Sequence, residues 1–124
     1  KGIASLSDLT KSGTIVVLCD TSQPCGKLAA QILAQDKITL TPASLEDKVT
    51  GVVTKITTGA ADAGIVFVTD VLGAGDSATG VTIPTDQNVV TEYPASVTKE
   101  ATNPTGGAAF IAYVAGPAGQ AILA

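Results

Sequence analysis

Residues 14–33, TIVVLCDTSQPCGKLAAQIL, decide the fold because an apolar run passes through a short polar turn into a helical pattern. The run Thr14–Cys19 is rich in β-branched residues, which is typical of a strand covered on both faces. The helical pattern runs from Gly26 to about Gln35, with Leu28 and Ile32 on one stripe. The stretch therefore predicts a strand, a turn and a helix in direct succession.

The rest of the chain continues this alternation. The patterns predict a short helix from Ser5 to about Gly13, a strand at Ile38–Thr41, and a helix over 49–56 capped by Ser44-x-x-Asp47. After these come a strand at Gly64–Thr69, a loop at 73–80 and a brief strand at Val81–Pro84. Two last helices are predicted after Asn103-Pro104 and Gly116-Pro117. Such alternation indicates an α/β protein with an open, mostly parallel sheet and helices on both faces. We predict a single α/β domain over residues 1–124, with C-terminal helices at about 104–123.

The composition disfavours several functional classes. The chain carries seven Lys, no Arg, no His and a net charge of −4, so it lacks the basic stripes that bind nucleic acid. No apolar run approaches the roughly 20 residues that a membrane span needs. If the protein is exported, we expect its signal or anchor segment to lie outside this chain.

Cys19 and Cys25 raise the question of thiol chemistry. Five residues separate them, which is neither a C-x-x-C redox pair nor a four-ligand zinc pattern, and no His is present to complete a metal site. We therefore expect no metal and no redox activity. A disulfide that pins the turn is favoured if the protein is extracytoplasmic, and two buried free thiols are the alternative.

Nucleotide binding and catalysis find little support in the same segment. Gly26-Lys27 suggests a phosphate loop, but Thr21 stands where the first glycine would be and Leu28 where the Ser/Thr for magnesium would be. A Ser or Cys nucleophile would lack a His base. Asp20, Asp62 and Asp70 are candidate acid–base groups, yet each lies at the end of a predicted strand or helix, where carboxylates of turns are common. We expect no enzymatic activity.

The backbone is the remaining candidate for chemistry. A strand that turns into a helix at Pro24-Cys25-Gly26 directs free N–H groups beyond the carboxyl edge of the sheet, and such a helix start suits an oxyanion. A second helix start is predicted at Asp47-Lys48-Val49, and a third loop follows the strand at Phe67. Open α/β folds bind ligands at this edge. The pattern indicates an anion site, although every α/β protein has such loop ends.

Several segments together resemble one known family. They are LCDTSQPCGKLAAQIL (18–33), EDKVTGVVTKITTGAADAGIVFVTD (46–70), VTIP (81–84), EYPASVTK (92–99) and NPTGGAAFIAYVAGPAGQAIL (103–123). Their order and spacing resemble the periplasmic molybdate-binding proteins of ABC importers, which are type II periplasmic binding proteins. The resemblance covers nearly the whole chain but only the C-terminal half of such a protein, and so implies one lobe of a two-lobe fold.

The resemblance implies particular ligand-binding residues. Cys25, next to Gly26, matches a position whose backbone N–H contacts the oxyanion, and Val49 matches a second backbone donor. Phe67 stands where the family usually has a Tyr whose hydroxyl donates to the ligand, so that contact is lost or supplied by a group such as Thr69 or a water. The family's other lobe, with two Ser ligands, is not represented.

The resemblance also implies a function and partners. The chain would bind molybdate or tungstate outside the cytoplasm, without a cofactor, and deliver it to the membrane permease of an ABC importer. The alternative is a single-lobe regulatory or assembly domain that self-associates through the surface left by the missing lobe and does not bind oxyanion tightly.

Overall fold

A computed structural model describes residues 1–123. Contacts between Cα atoms divide the chain into two compact units, Lys1–Val89 (unit 1) and the residues from Val90 onward (unit 2). Unit 1 contains, in order, a 3₁₀ helix (Leu6–Thr10), β1 (Val16–Cys19), α1 (Pro24–Gln35), β2 (Ser44–Glu46), α2 (Val49–Thr57), β3 (Ala63–Gly64), α3 (Val68–Ala74) and a second 3₁₀ turn (Gly75–Ser77).

The three strands form an open parallel sheet in the order β2-β1-β3. Val17 of the central strand pairs with Ser44 on one side and with Gly64 on the other. The strands run parallel because each connection, from β1 to β2 and from β2 to β3, passes through a helix. The prediction of an α/β fold with an open parallel sheet is confirmed.

Helices cover both faces of the central strand. Val16 and Leu18 of β1 lie in a cluster with α1, whereas Val17 and Cys19 lie in a cluster with α2, because successive side chains of a strand point to opposite faces. The α1 cluster contains Leu6, Leu9, Val16, Leu18, Ala29, Ile32, Leu33 and Ile65. The α2 cluster contains Val17, Cys19, Cys25, Val52 and Ala61. All four residues of β1 are buried, as its continuous apolar run predicts.

The second strand was predicted at the wrong place. Ile38–Thr41 has no strand pairing, and the chain joins the sheet at Ser44–Glu46 instead. Ile38 and Leu40 still pack against the α1 cluster, so their apolar character reflects burial beside the sheet and not membership of it. The predicted helix cap is also wrong, because Ser44 lies in β2 and Lys48 is the N-cap of α2.

The third strand is much shorter than its apolar run. Of the predicted Gly64–Thr69, only Gly64 lies in β3, and α3 begins at Val68. The carboxylate of Asp70 accepts the N–H of Phe67 at 3.1 Å, which favours a helix start at this point. Part of the predicted loop at 73–80 is the end of α3 with a 3₁₀ turn, and residues 81–84 form no strand.

Unit 2 contains two helices, α4 (Pro104–Ala115) and α5 (Pro117–Leu123), which pack against each other. Asn103 caps α4 as predicted, since its Oδ1 accepts the N–H of Gly106 at 2.9 Å. Among residues 1–123, no single helix has the length and apolar character of a membrane span. The α4–α5 pair meets that test only jointly, and it is bent by 62°.

Candidate functional site

Three loops meet at the carboxyl edge of the sheet. Each strand of unit 1 leads directly into a helix, so the starts of α1, α2 and α3 follow the ends of β1, β2 and β3. The strands are parallel and β1 is central, which places the start of α1 between those of the other two helices. This is the edge at which open α/β sheets bind ligands.

The loop after β1 is closed by a disulfide. Cys19, the last residue of β1, is bonded to Cys25, and their Cα atoms are 5.7 Å apart. This confirms the predicted disulfide and excludes the alternative of two free thiols. Within the loop, Asp20 donates its N–H to Glu46 O at 2.9 Å and accepts the N–H of Ser22 on Oδ1 at 2.8 Å.

Gly26 lies against the backbone of the same loop. A Cβ at this position would overlap the carbonyl group of Asp20 and would lie 2.6 Å from the carbonyl oxygen of Cys19. The absence of a side chain at Gly26 therefore lets α1 start directly against the end of β1. The close approach of the main chain is thus a packing reason for glycine at this position.

The first turns of α1 and α2 retain free N–H groups. Neither N-cap, Gln23 or Lys48, makes a side-chain capping hydrogen bond. The first backbone bond donated within α1 is from Lys27 to Gln23 O, and within α2 it is from Gly51 to Lys48 O, each at 3.0 Å. The earlier N–H groups have no acceptor among residues 1–123; they belong to Cys25, Gly26, Val49 and Thr50. Such groups carry the partial positive charge of the helix start.

The predicted site residues converge on one cluster. Cys25 belongs to the α2 cluster, and the side chains of Val49 and Phe67 pack against that cluster. Phe67 is the N-cap of α3, and its ring has no hydrogen-bond donor. Thr50, which sequence analysis did not single out, offers a free N–H next to that of Val49. Its signal was the absence of a capping side chain before α2.

An ion pair joins β2 to α2 and so fixes the loop between them. Lys55 Nζ lies 2.5 Å from Glu46 Oε1 and donates to Ser44 Oγ at 2.8 Å. Hydrogen bonds from Lys55 and Ser44 lower the pKa of the Glu46 carboxyl, so it remains ionised and paired at neutral pH. Sequence analysis missed this pair because nine positions separate its members, which matches no helical or strand period.

The candidate acid–base carboxylates are engaged with the backbone. Asp20 accepts from Ser22 N, which lowers the pKa of its carboxyl, and Asp70 accepts from Phe67 N. Asp62 Oδ2 accepts from Ile15 N at 2.7 Å and lies 3.0 Å from Lys1 Nζ; both contacts lower its pKa, the backbone bond more strongly. The carboxylate of Asp20 thus stabilises a turn, that of Asp62 the start of β1, and that of Asp70 the start of α3. Over the described part of the chain, no three Cys, Asp or Glu side chains are grouped to hold a metal ion.

Unit 1 also contains a cleft whose charged lining is mostly acidic, unlike the starts of α1 and α2. It has a volume of about 660 Å³ and is bordered by residues 1–6, 62–66 and 76–84 among others. Its charged lining consists of Asp62, Asp70, Asp76 and Lys1, of which Lys1 is paired with Asp62. The remaining excess of negative charge makes this cleft unsuitable for an anion, in contrast to the helix starts beside Cys25 and Val49.

Comparison with known proteins places the chain among binding proteins. The profile of a family described as "Bacterial extracellular solute-binding protein" matches residues 1–124. Proteins named "Molybdate-binding protein ModA" from Mycobacterium bovis and from two strains of Mycobacterium tuberculosis are each 41% identical over 123 residues. The match covers 99% of this chain and 47% of each relative, so the chain spans about half their length. No solved structure matches significantly.

Proposed function

The chain belongs to the family of bacterial extracellular solute-binding proteins, and from this premise we propose that it binds a tetrahedral oxyanion of the molybdate or tungstate type. The relatives that carry the name of molybdate-binding proteins support this choice of ligand. The family points to binding and not to catalysis. It also supports a location outside the cytoplasm, where a structural disulfide such as Cys19–Cys25 is stable.

One observation carries the proposal: two helices that follow adjacent strands start with open N–H groups. α1 has 12 residues and α2 has nine, and they follow the adjacent strands β1 and β2. Fixed backbone dipoles stabilise a dianion without a formal counter-ion, and they allow its release because no buried salt bridge must be broken. The four donors are the N–H groups of Cys25, Gly26, Val49 and Thr50.

The same family supports a wider role. We propose that the protein delivers its oxyanion to the membrane permease of an ABC importer. Because the chain covers 47% of its relatives, we expect the four donors to form only part of the coordination of the anion. Phe67, which supplies no hydroxyl, lowers the number of donors further. The 124-residue chain should therefore bind weakly by itself.

The experiment is an amide-resolved NMR titration of the ¹⁵N-labelled chain with tungstate and molybdate, with sodium chloride at matched ionic strength as the reference. We expect saturable shifts that concentrate at the amides of Cys25, Gly26, Val49 and Thr50. If no tetrahedral oxyanion produces a localised response at millimolar concentration, the proposal is wrong.

A pair of variants tests the donor itself. Val49→Pro removes one N–H at the first position of α2, which proline tolerates, and the preceding Lys48 is already extended with φ −146° and ψ 148°. Val49→Ala removes most of the same side chain but keeps the N–H. We expect the Pro variant to need several times more tungstate for half-saturation than the Ala variant. Equal affinities would show that this N–H does not bind the anion.

A second candidate function is self-association of a single lobe. It is favoured by α3, where the apolar side chains of Val68 and Leu72 lie one turn apart and are 72% and 62% exposed. An exposed apolar stripe of this kind favours packing against a second copy of the chain. Light scattering over a range of concentrations tests this, and a constant monomeric mass contradicts it.

A further inference from the structure

The disulfide lies within the loop that carries the proposed anion donors of α1. It joins the last residue of β1 to the second residue of α1 and closes a ring around Asp20–Pro24. Cys25 is thus both a disulfide partner and a proposed donor of a backbone N–H. The same residue connects the covalent link to the binding group.

Hydrogen bonds hold the first part of the ring but not the last. Asp20 N donates to Glu46 O, Ser22 N donates to Asp20 Oδ1, and Gln23 N donates to Asp20 O, at 2.8–2.9 Å. Pro24 has no N–H. The N–H groups of Cys25 and Gly26 have no acceptor among the residues described, and they must remain free if they are to bind an anion. The donors therefore cannot be positioned by their own hydrogen bonds.

The two cysteines also pack against the start of α2. Cys19 is 1% exposed and Cys25 is 8% exposed, and both lie in the α2 cluster with Val52. Val49, the first residue of α2, packs against the same cluster. The covalent bond therefore ties the start of α1 to the end of β1, and the start of α2 is related to the same point by apolar packing.

We infer that the Cys19–Cys25 disulfide is a positioning element of the oxyanion site, which holds the N–H groups of Cys25 and Gly26 against the end of β1 in the orientation that binds the anion. This inference rests on the proposed function. Without the bond, the second residue of α1 is tied to β1 only through the chain and through apolar packing. The first turn of α1 then loses its fixed orientation, and the anion must order it on binding.

The test compares oxidised and reduced forms of the same chain by NMR titration with tungstate. The reduced form is refolded in a phosphine, which supplies no competing thiol, and a thiol count verifies both forms. We expect half-saturation of the Cys25 and Gly26 amide shifts to require about tenfold more tungstate in the reduced form. The Val49 and Thr50 shifts should weaken by a smaller factor.

Two variants serve as controls. Cys19→Ala/Cys25→Ala should resemble the reduced form and should not respond to the phosphine. Ile32→Val removes a methylene from the α1 cluster on the other face of β1, and thereby lowers stability without altering the loop. We expect Ile32→Val to bind tungstate as tightly as the unaltered oxidised chain does. If lowered stability alone were enough to weaken binding, this variant would bind more weakly.

The outcomes separate the inference from the function on which it rests. If oxidised and reduced forms bind tungstate equally, the inference is wrong and the proposed function stands. If Ile32→Val weakens binding as much as reduction does, the disulfide acts only through stability and the inference is again wrong. If the oxidised chain gives no localised response, the proposed function fails and the inference fails with it. If the reduced form does not fold, the alanine variant provides the comparison, and failure of both to fold assigns the bond to folding and contradicts the inference.

Discussion

Gly26 is important for packing because it has no side chain. Its Cα lies so close to the Cys19–Asp20 backbone that any added carbon must displace main-chain atoms, which are less able to move than a flexible side chain. We therefore expect Gly26→Ala to destabilise the chain by about 2 kcal/mol or more, as overpacking does elsewhere. Urea denaturation measures this loss.

Gly73 provides the matched control for Gly26→Ala. It lies in α3, and a Cβ there would meet no atom within 4 Å. Alanine at this helical position should stabilise the chain by up to about 1 kcal/mol, because alanine loses less backbone entropy than glycine. Equal effects at the two positions would contradict the packing argument for Gly26.

Phe67 offers the opportunity to add a donor to the site. Its ring packs against the α2 cluster, to which Cys25 belongs, and a hydroxyl on that ring could donate to a bound oxyanion. A hydrogen bond to a charged acceptor contributes about 1.5–3 kcal/mol. We expect Phe67→Tyr to tighten tungstate binding by about tenfold or more. The NMR titration measures the change.

Phe67→Leu separates the added donor from a change of shape, since it replaces the ring with an aliphatic side chain that has no hydroxyl. This variant should bring no gain in affinity. If tyrosine also brings none, the anion does not lie within reach of residue 67, and the site residues implied by family resemblance need revision at that position.

At the scale of elements, continuous patterns were predictable and long-range pairing was not. The β-branched run of β1 and the stripe of α1 are local signals, and both elements form. β2 takes its place through hydrogen bonds with β1, and its side chains Ser44 and Glu46 are anchored by Lys55. Nothing within the three residues of β2 distinguishes them from a loop, so prediction preferred the β-branched Ile38–Thr41.

The helix starts of the candidate site were predictable from the sequence, but the packing that holds them in place was not. The Pro24-Cys25-Gly26 sequence indicates a helix start by itself, and the resemblance to a known family implies Val49 and Phe67. The packing of Gly26 on the Cys19–Asp20 backbone depends on how elements meet in space. Such contacts leave no periodic trace in the sequence.

Asp62 connects the start of β3 to the start of β1 and makes stability depend on pH. Its contacts with Ile15 N and Lys1 lower the pKa of its carboxyl in the folded chain. The stabilisation is therefore present above the unfolded pKa, about 3.9, and is lost as the pH falls through the lower folded value. We expect the free energy of unfolding to fall on acidification below about pH 4.

Urea denaturation at a series of pH values tests the role of Asp62. Asp62→Asn should lower stability at pH 7 and reduce the loss on acidification. Asp76→Asn is the control, because Asp76 is exposed and makes no ion pair among the described residues. If Asp62→Asn keeps the full acid sensitivity of the unaltered chain, the lowered pKa of Asp62 does not contribute to it.

At the scale of the whole molecule, the expected affinity for the oxyanion depends on how much of the family fold is present. The 123 matched residues correspond to 47% of each mycobacterial relative. A longer protein that adds the remaining part of the family fold should gain thermal stability with molybdate or tungstate. The reason is that a ligand that binds only the folded state stabilises it by RT ln(1 + [L]/Kd). The 124-residue chain should show a far smaller increase in Tm.

Thermal melts of the two proteins with sulfate, molybdate and tungstate provide the measurement. Comparable shifts in both would mean that the residues described here contain the complete site. No shift in the longer protein with any of these anions would contradict oxyanion binding at every length.

The brevity of the outer strands has a consequence for aggregation. β2 has three residues and β3 has two, so each outer side of the sheet presents few unpaired N–H and C=O groups. Long exposed edges are the usual templates for strand addition and fibril growth. The sheet edges of unit 1 therefore offer little backbone with which a strand of another molecule could pair. Any association of its copies would depend on side chains, such as those of α3, and not on an extended sheet.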